Sequence, residues 1–472
     1  MAQFEVRRPF GRASVFYART SDGWVSSSRL RSLASRLGSS VNLRVLARWT
    51  AVVQEPTDET LFLGIRHLPP CHAFVNGKLT TIAPKPASAP EGSLEELGRL
   101  LRRRVESAVE KATLGSRCVG VTVGGLDSCG IAAITSTGES STVWVNVDLR
   151  GEDPDRPYVE ALARRHGVRL ITRTVDEGEA FLADALLLDG IPCWTAGVVV
   201  DLVAATALRE AGVDRILSGA VGDDVFGGDV ALIGGEMLRT SPAQAIRFAL
   251  QLRTPHVESP RQRLMRAILR PNVREWVPKA IRTRRRKKHF ARRFHWAKPA
   301  FLELLDASGD AQEVNSKVPT SREELFGTFT TAGWLADYVD CRALVAAVTH
   351  LPWLDPCLDL ELVRFTLSLP YEVRNCDGFH RGLYRRALTD LLPDKVRQRT
   401  GKASQDEQVL AVVRRAFQTP TWRDRLRVPL LADLGWVDPH LFQRQLEALE
   451  NADQLAAMWP FLSAEAFLQA QS

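Results

Sequence analysis

The sequence predicts an α/β protein with a small β-rich amino-terminal domain, a parallel doubly wound sheet, and a mainly helical carboxyl-terminal part. Three observations carry this. Apolar strand-like runs alternate with helical patterns between residues 94 and 218. The first 85 residues read as short strands joined by turns, and from about Ala243 the pattern is mainly helical. The 472 residues, 45% apolar and 25% charged with a net charge of +7, can bury sizeable cores. A fibrous, collagen-like or wholly disordered chain is excluded.

The elements follow in order. Val15–Tyr17 and Trp24–Val25 are short strands, and Ala73–Val75 and Leu79–Ile82 flank Asn76-Gly77, a strong hairpin signal. Pro84, Pro86 and Pro90 mark a linker over Ala83–Pro90, so the domains are expected at 1–88 and 89–472. A helix follows over Leu94–Thr113. Cys118–Val123 is a continuous apolar run, suited to a strand buried on both faces. Ser128–Ile134 begins a helix, Thr142–Val147 is a second strand, Pro157–His166 a helix and Val168–Val175 a third strand. Leu202–Ala211 and Arg215–Ser218 add a helix and a fourth strand. Ligands on such sheets sit at the carboxyl ends of strands, which directs attention to the loops after Val123, Val147 and Ser218.

Several classes are disfavoured. No apolar run approaches the ~18 residues of a membrane span; Val198–Leu208 comes nearest and Asp201 interrupts it. Seven cysteines without a CxxC pair argue against a disulfide framework or zinc ribbon. Cys118 and Cys129 are expected as small buried hydrophobes. With no secretory signal, a reduced cytoplasmic protein is expected.

The loop Val123-Gly124-Gly125-Leu126-Asp127-Ser128 leaves a buried strand and opens a helix. Two glycines let the backbone turn N–H groups toward an anion, and the helix terminus adds partial positive charge. Ser128 offers a hydroxyl to the same phosphates. Asp127 fits an anion site only if Mg²⁺ lies between it and the phosphates. The loop is neither GxGxxG nor GxxxxGK[ST]. On these residues alone, a plain turn and helix cap is an equal reading.

The loop resembles the SGGLDSS pyrophosphate loop of the N-type ATP pyrophosphatases, with Val123 for the first Ser and Cys129 for the last. Leu217–Gly228 (LSGAVGDDVFGG) resembles the asparagine synthetase motif SGEGSDEVFGG, and Pro352–Asp355 its PFLD. Asp377-Gly378, Leu383–Leu388, Leu392-Pro393 and Arg399–Lys402 resemble its DG…KYLLR…LLP…R…K ending. Thr60–Ala73 (TLFLGIRHLPPCHA) is similar to that family's TLFEGIRRLPPGHA. The resemblance covers roughly 95–410. It implies an adenine nucleotide α-hydrolase-like (ATP pyrophosphatase) synthetase domain behind a degenerate glutaminase-like remnant, with ATP and Mg²⁺ as cofactors. By the same resemblance, Asp127 and Asp223 hold the metal and act in catalysis with Lys402, which stabilises developing negative charge. ATP and pyrophosphate contact Val121, Val123, Gly124, Gly125, Leu126, Asp127, Ser128, Val147, Asp148, Ser218, Gly219, Gly222 and Asp224. Helix capping is nearly as good a reading of Asp148, and a solvated surface role remains open for Lys402. His350 has a ring suited to a base, against a packed core histidine; Arg399 is a further candidate.

The departures narrow the reading. Glutamine-dependent synthetases begin Met-Cys, whereas this sequence begins Met1-Ala2 and reaches its LPP run by Leu68; a remnant that cannot hydrolyse glutamine is expected. Ala220 stands where asparagine synthetases have Glu and β-lactam synthetases Tyr, and it can move no proton. Val348–Asp355 (VTHLPWLD) loses the Glu and Arg of the family's ExRxPFLD. The sequence therefore most resembles the lasso peptide cyclases. That resemblance implies adenylation of an Asp or Glu side chain of a ribosomal precursor peptide. The core peptide's amino terminus then attacks, forming a macrolactam and releasing AMP. A leader peptidase (a cysteine protease) and a leader-recognition protein are the expected partners. A small-molecule amide synthetase of the asparagine or β-lactam type, and a non-catalytic peptide-binding scaffold, are the alternatives. The basic run Arg282–Arg293 (RTRRRKKHFARR) fits a solvated segment or a precursor or partner contact; nucleic acid is the weakest reading, lacking a recognition motif.

Overall fold

The computed structural model describes residues 4–7, 10, 14–53, 58–75, 77–82, 84–148, 153–253, 259–269, 277–306, 318–401 and 405–472. Asn76 of the hairpin signal, Ala83 of the linker and Lys402 lie outside the described residues.

The amino-terminal part holds two antiparallel sheets. One pairs Phe4–Arg7 with His72–Val75 and that strand with Lys78–Thr81; the other orders Gly23–Ser27, Phe16–Thr20 and Ile65–His67. It also holds two helices the sequence reading did not anticipate, Leu30–Leu37 and Leu43–Thr50. Their arginines interrupt short apolar stripes: Leu30, Leu33 and Ala34 face inward on the first, Leu46, Ala47 and Thr50 on the second. Gly38 ends the first in the left-handed region (φ 61°), and the Asn42 side chain accepts from the Val45 N–H to start the second.

After coil over 84–93, helix α1 (Leu94–Thr113) opens on a capping box. The Glu96 N–H donates to Ser93 Oγ at 3.3 Å and the Ser93 N–H to Glu96 Oε2 at 2.8 Å. Then follow β1 (Cys118–Thr122), α2 (Leu126–Thr135), β2 (Ser141–Asp148), α3 (Arg156–His166), β3 (Arg169–Thr174), α4 (Val198–Glu210) and β4 (Arg215–Leu217). In the helical part, α5 (Lys279–Arg293) and α6 (Gly333–Thr349) precede a short β5 (Trp353–Leu354). Helices α7 (Gly382–Ala387), α8 (Gln405–Ala416) and α9 (Ala452–Gln469) come after it.

The five strands form one parallel sheet in the order β5-β4-β1-β2-β3. The four strands expected from alternation are there. The fifth pairs Ile216 with Trp353 and Leu217 with Leu354, and two residues are too few to show a period. Strand order reverses between β1 and β4, a topological switch point where crevices open at the carboxyl ends. The largest core joins α4, α8 and α9 to the amino-terminal helices, with Phe62 edge-on to Phe467 at 5.6 Å. The basic run is helical, within α5, and Arg284, Arg285, Lys288 and Arg292 on it are exposed. Among the described residues, no helix is long and apolar enough to cross a membrane. All seven cysteines are unpaired.

Candidate active site

A cleft of about 620 Å³ opens at the carboxyl ends of β1, β2 and β4. Of the residues anticipated from sequence, Val123, Gly124, Gly125, Leu126, Asp127, Ser128, Val147, Ser218, Gly219, Asp223 and Arg399 surround it. Helix α2 is buried along its length, so its amino terminus is pinned at the end of β1. The loop is braced internally: the Gly124 N–H donates to Ser128 Oγ at 3.1 Å, and Ser128 Oγ donates to the Gly125 carbonyl at 3.0 Å. The first N–H groups of α2 have no carbonyl within the helix to accept them, which suits an anion.

The loops after β1 and β4 interlock. A Cβ on Gly219 would lie 2.2 Å from the Ser128 nitrogen, and one on Gly222 would lie 2.6 Å from Asp127 Cγ. Both glycines let the second loop back onto the first, so Gly222 acts behind Asp127, outside the cleft lining. Between them, Val221 holds a left-handed conformation at φ 64°, in the place where the resembled motif has a glycine. A β-branched residue there stores strain.

Asp127 and Asp223 come together through a residue the sequence reading missed. Arg381, at the cap of α7, places Nη1 2.6 Å from Asp127 Oδ2 and 2.5 Å from Asp223 Oδ1. Burial works against the Arg381 charge, but the two carboxylates more than offset it and raise its pKa. Among the described residues no three His, Cys, Asp or Glu side chains converge as a metal cage. Two carboxylates beside an anion cradle are nevertheless the donor set Mg²⁺ takes when phosphate oxygens and water complete its shell.

On the β2 side, Arg399 hydrogen-bonds Asp155 and lies over the Tyr158 ring at 4.5 Å. The Asn146 side-chain amide donates to the Val123 carbonyl at 3.1 Å, tying the first loop to β2. Other anticipated residues stand elsewhere. Val121 is buried within β1. Asp148 accepts from the Asp153 N–H at 3.1 Å and from Arg156 Nη1 at 2.9 Å, so it organises the start of α3 and does not line the cleft. Asp224 is exposed outside the cleft. His350 is the exposed left-handed cap of α6 (φ 57°), neither a core histidine nor a cleft residue. Lys402 is outside the described residues, although Gly401 and Gln405 on either side line the cleft.

The far wall is built from residues that carry no local motif. Ala220 lines it beside Trp194, Asp201 and Arg342. Arg342 Nη1 lies 2.6 Å from Asp201 Oδ2, its Nε donates to the Tyr338 hydroxyl at 2.8 Å, and its guanidinium lies over the Trp353 ring at 4.5 Å. A guanidinium thus reaches the cleft from α6, two turns before the position where the sequence pattern loses one. Burial pushes the Asp201 carboxyl up, with Arg342 opposing. Asp355, after β5, accepts from Ser218 Oγ and from the Tyr338 hydroxyl at 3.2 Å, and burial raises it as well. The cleft therefore has one end suited to an anion and another where Arg342 pairs with the buried Asp201. Against known proteins, a family model described as asparagine synthase matches residues 100–469. No curated protein matches the sequence.

Proposed function

The chain belongs to the asparagine synthase family, and on that premise we propose that it is a lasso peptide cyclase, forming a side-chain-to-amino-terminus amide within a ribosomal precursor peptide. ATP-dependent amide-bond formation is the chemistry this family carries. The observation that supports the narrower reading is the contrast across the cleft. The phosphate end keeps its interlocked loops and carboxylates, while Ala220 lines the cleft at the position where the resembled small-substrate synthetases carry a proton-moving Glu or Tyr.

In this reading the first amides of α2 and Gly124–Ser128 bind the ATP phosphates. Asp127 and Asp223 would hold Mg²⁺, which supplies charge neutralisation at the phosphates. The carboxylate of a peptide Asp or Glu attacks the α-phosphorus, giving an acyl-adenylate and pyrophosphate. The amino-terminal amine then attacks the acyl carbon, loses a proton and expels AMP. Lys402 is assigned the cation that meets negative charge at the acyl oxygen. Lys402→Ala is expected to slow ring closure by about 10²–10³, the scale for losing a preorganised electrostatic partner. Normal ring closure by that variant would remove Lys402 from the site.

The test of the function is mass spectrometry of a ribosomal precursor peptide with an Asp or Glu acceptor, incubated with ATP, Mg²⁺ and the protein, alongside pyrophosphate release. A product lighter by one water is expected. A second reading, a synthetase for a free amino acid, is favoured by Arg342 and Asp201, which together can address a carboxylate and an ammonium. Conversion of aspartate and ammonia to asparagine, with no peptide product, would establish it instead.

A further inference from the structure

A second cavity of about 420 Å³ lies where the amino-terminal part meets α6. Its wall is largely apolar, with Phe16, Trp49, Leu61, Ile191 and Leu344 among its residues. One face of α6 supplies Asp337, Asp340, Leu344 and Ala347, spaced three, four and three residues apart, while Arg342 points from another face into the nucleotide cleft. Trp194 belongs to both linings, and its buried indole N–H has no acceptor among the described residues. The two cavities therefore share a wall made of α6 and one indole.

The charges in the second cavity are unequally matched. Asp340 accepts from Arg7 Nη2 and from Ser14 Oγ, both at 2.6 Å, with His67 Nε2 at 3.3 Å. Glu59 pairs with Arg44 at 2.5 Å, Arg48 is buried near that same carboxylate, and Arg29 is exposed. Asp337 makes no hydrogen bond or ion pair among the described residues, and it is part-buried in the cavity wall. Burial pushes its carboxyl up to about 7, Asp340 adding to the rise and Arg7 opposing it. A part-buried carboxylate with no side-chain partner among the described residues, in a largely apolar cavity, has the complementarity of a site for an ammonium carrying an apolar group.

We propose that this cavity binds the amine-bearing end of the acceptor substrate, its ammonium on Asp337 and its apolar side chain against Trp49 and Leu344, on the far side of Trp194 from the activated carboxylate. The proposal rests on the reading of amide formation and names the place where the second reactant is held. Held there, the amine remains protonated and unreactive; it must leave Asp337 and lose its proton before it attacks.

The test is a binding measurement, separate from any assay of amide formation. L-leucinamide and N-acetyl-L-leucinamide are titrated calorimetrically into the full chain at about pH 7, where an α-amine is mainly protonated. Leucinamide is expected to bind about 10- to 100-fold more tightly than its acetylated form, the span for a hydrogen bond to a charged group. Asp337→Asn is expected to erase that preference, and Leu344→Trp, which fills the cavity, to abolish binding. Equal affinity for the two probes, undiminished leucinamide binding in Asp337→Asn, or no binding of leucinamide to the wild type would each overturn the proposal. Absence of ring closure would instead count against the cyclase reading, and leave the amine-site result standing on its own.

Discussion

Asp337 offers a prediction whose size follows from one residue. An ordinary aspartate has a pKa of ~3.9, whereas burial first, and then the Asp340 carboxylate, raise Asp337 to about 7 in the folded chain. The folded state therefore holds the proton more tightly than the unfolded state. The stability this gives is fully present below about pH 4 and is lost as pH rises to about 7. At ~1.36 kcal/mol per tenfold difference in proton affinity, the loss reaches about 1.5 kcal/mol at about pH 5 and about 4 kcal/mol at about pH 8. Asparagine has the same shape and no charge to bury. Asp337→Asn should therefore be more stable than the wild type at pH 8, and its advantage should shrink by about 2.5 kcal/mol on going to pH 5. Urea denaturation of both proteins at the two pH values measures this, because titrating groups that do not interact with Asp337 cancel in the difference. An advantage that does not change with pH, or a variant less stable at pH 8, would refute the reasoning.

Three further outcomes follow from the cleft proposed to hold the nucleotide. Asp127→Asn and Asp223→Asn should each abolish ATP–pyrophosphate exchange while circular dichroism remains that of the wild type; unchanged exchange would remove that residue from the site. Arg381→Met takes away the cation the two carboxylates share and should destabilise the free protein by about 3–5 kcal/mol at neutral pH, measured by denaturant midpoint; a change under about 1 kcal/mol would show that the bridge contributes little. Val221→Gly should raise the unfolding free energy by about 1 kcal/mol, as relief of left-handed strain exceeds the entropic cost of glycine; a lowered value would place the strain elsewhere.

The legibility of the sequence tracks how local each cause is. Helix α1 is bounded by its own capping box at Ser93 and Glu96, and its predicted limits match those observed. Strand β1 reads as a continuous apolar run and β2 as a strand over Thr142–Val147, both correct within one residue at each end. The helices at Leu30–Leu37 and Leu43–Thr50 escaped although Leu30, Leu33, Ala34 and Leu37 recur at helical spacing, because two turns are shorter than the roughly 11 residues over which an apolar period is read. In the site, the loop residues were legible because glycine and aspartate at fixed offsets have a local mechanism. Arg381 lies 254 residues from the Asp127 it pairs with, and Arg342 lies 141 from Asp201. No local pattern encodes such a pairing; only the return of α6 and α7 to the switch point creates it. Val221 did carry a signal, a branched residue in a glycine's place, that sequence reading could have used.

The contact between Phe62 and Phe467 spans nearly the whole chain. Leu46, Ala47 and Phe62 bury themselves in the same core as Leu455, Met458 and Phe461 of α9. A break in the proline-containing coil at 84–93 would consequently leave greasy complementary faces on both fragments, neither able to satisfy its own half. Such pieces should stay insoluble alone and regain order only when refolded together, as subunits of an obligate pair do. The early helix Leu43–Thr50 and Phe62 are thus stitched to the final helix, and melting should proceed through one transition that takes both ends of the polypeptide with it.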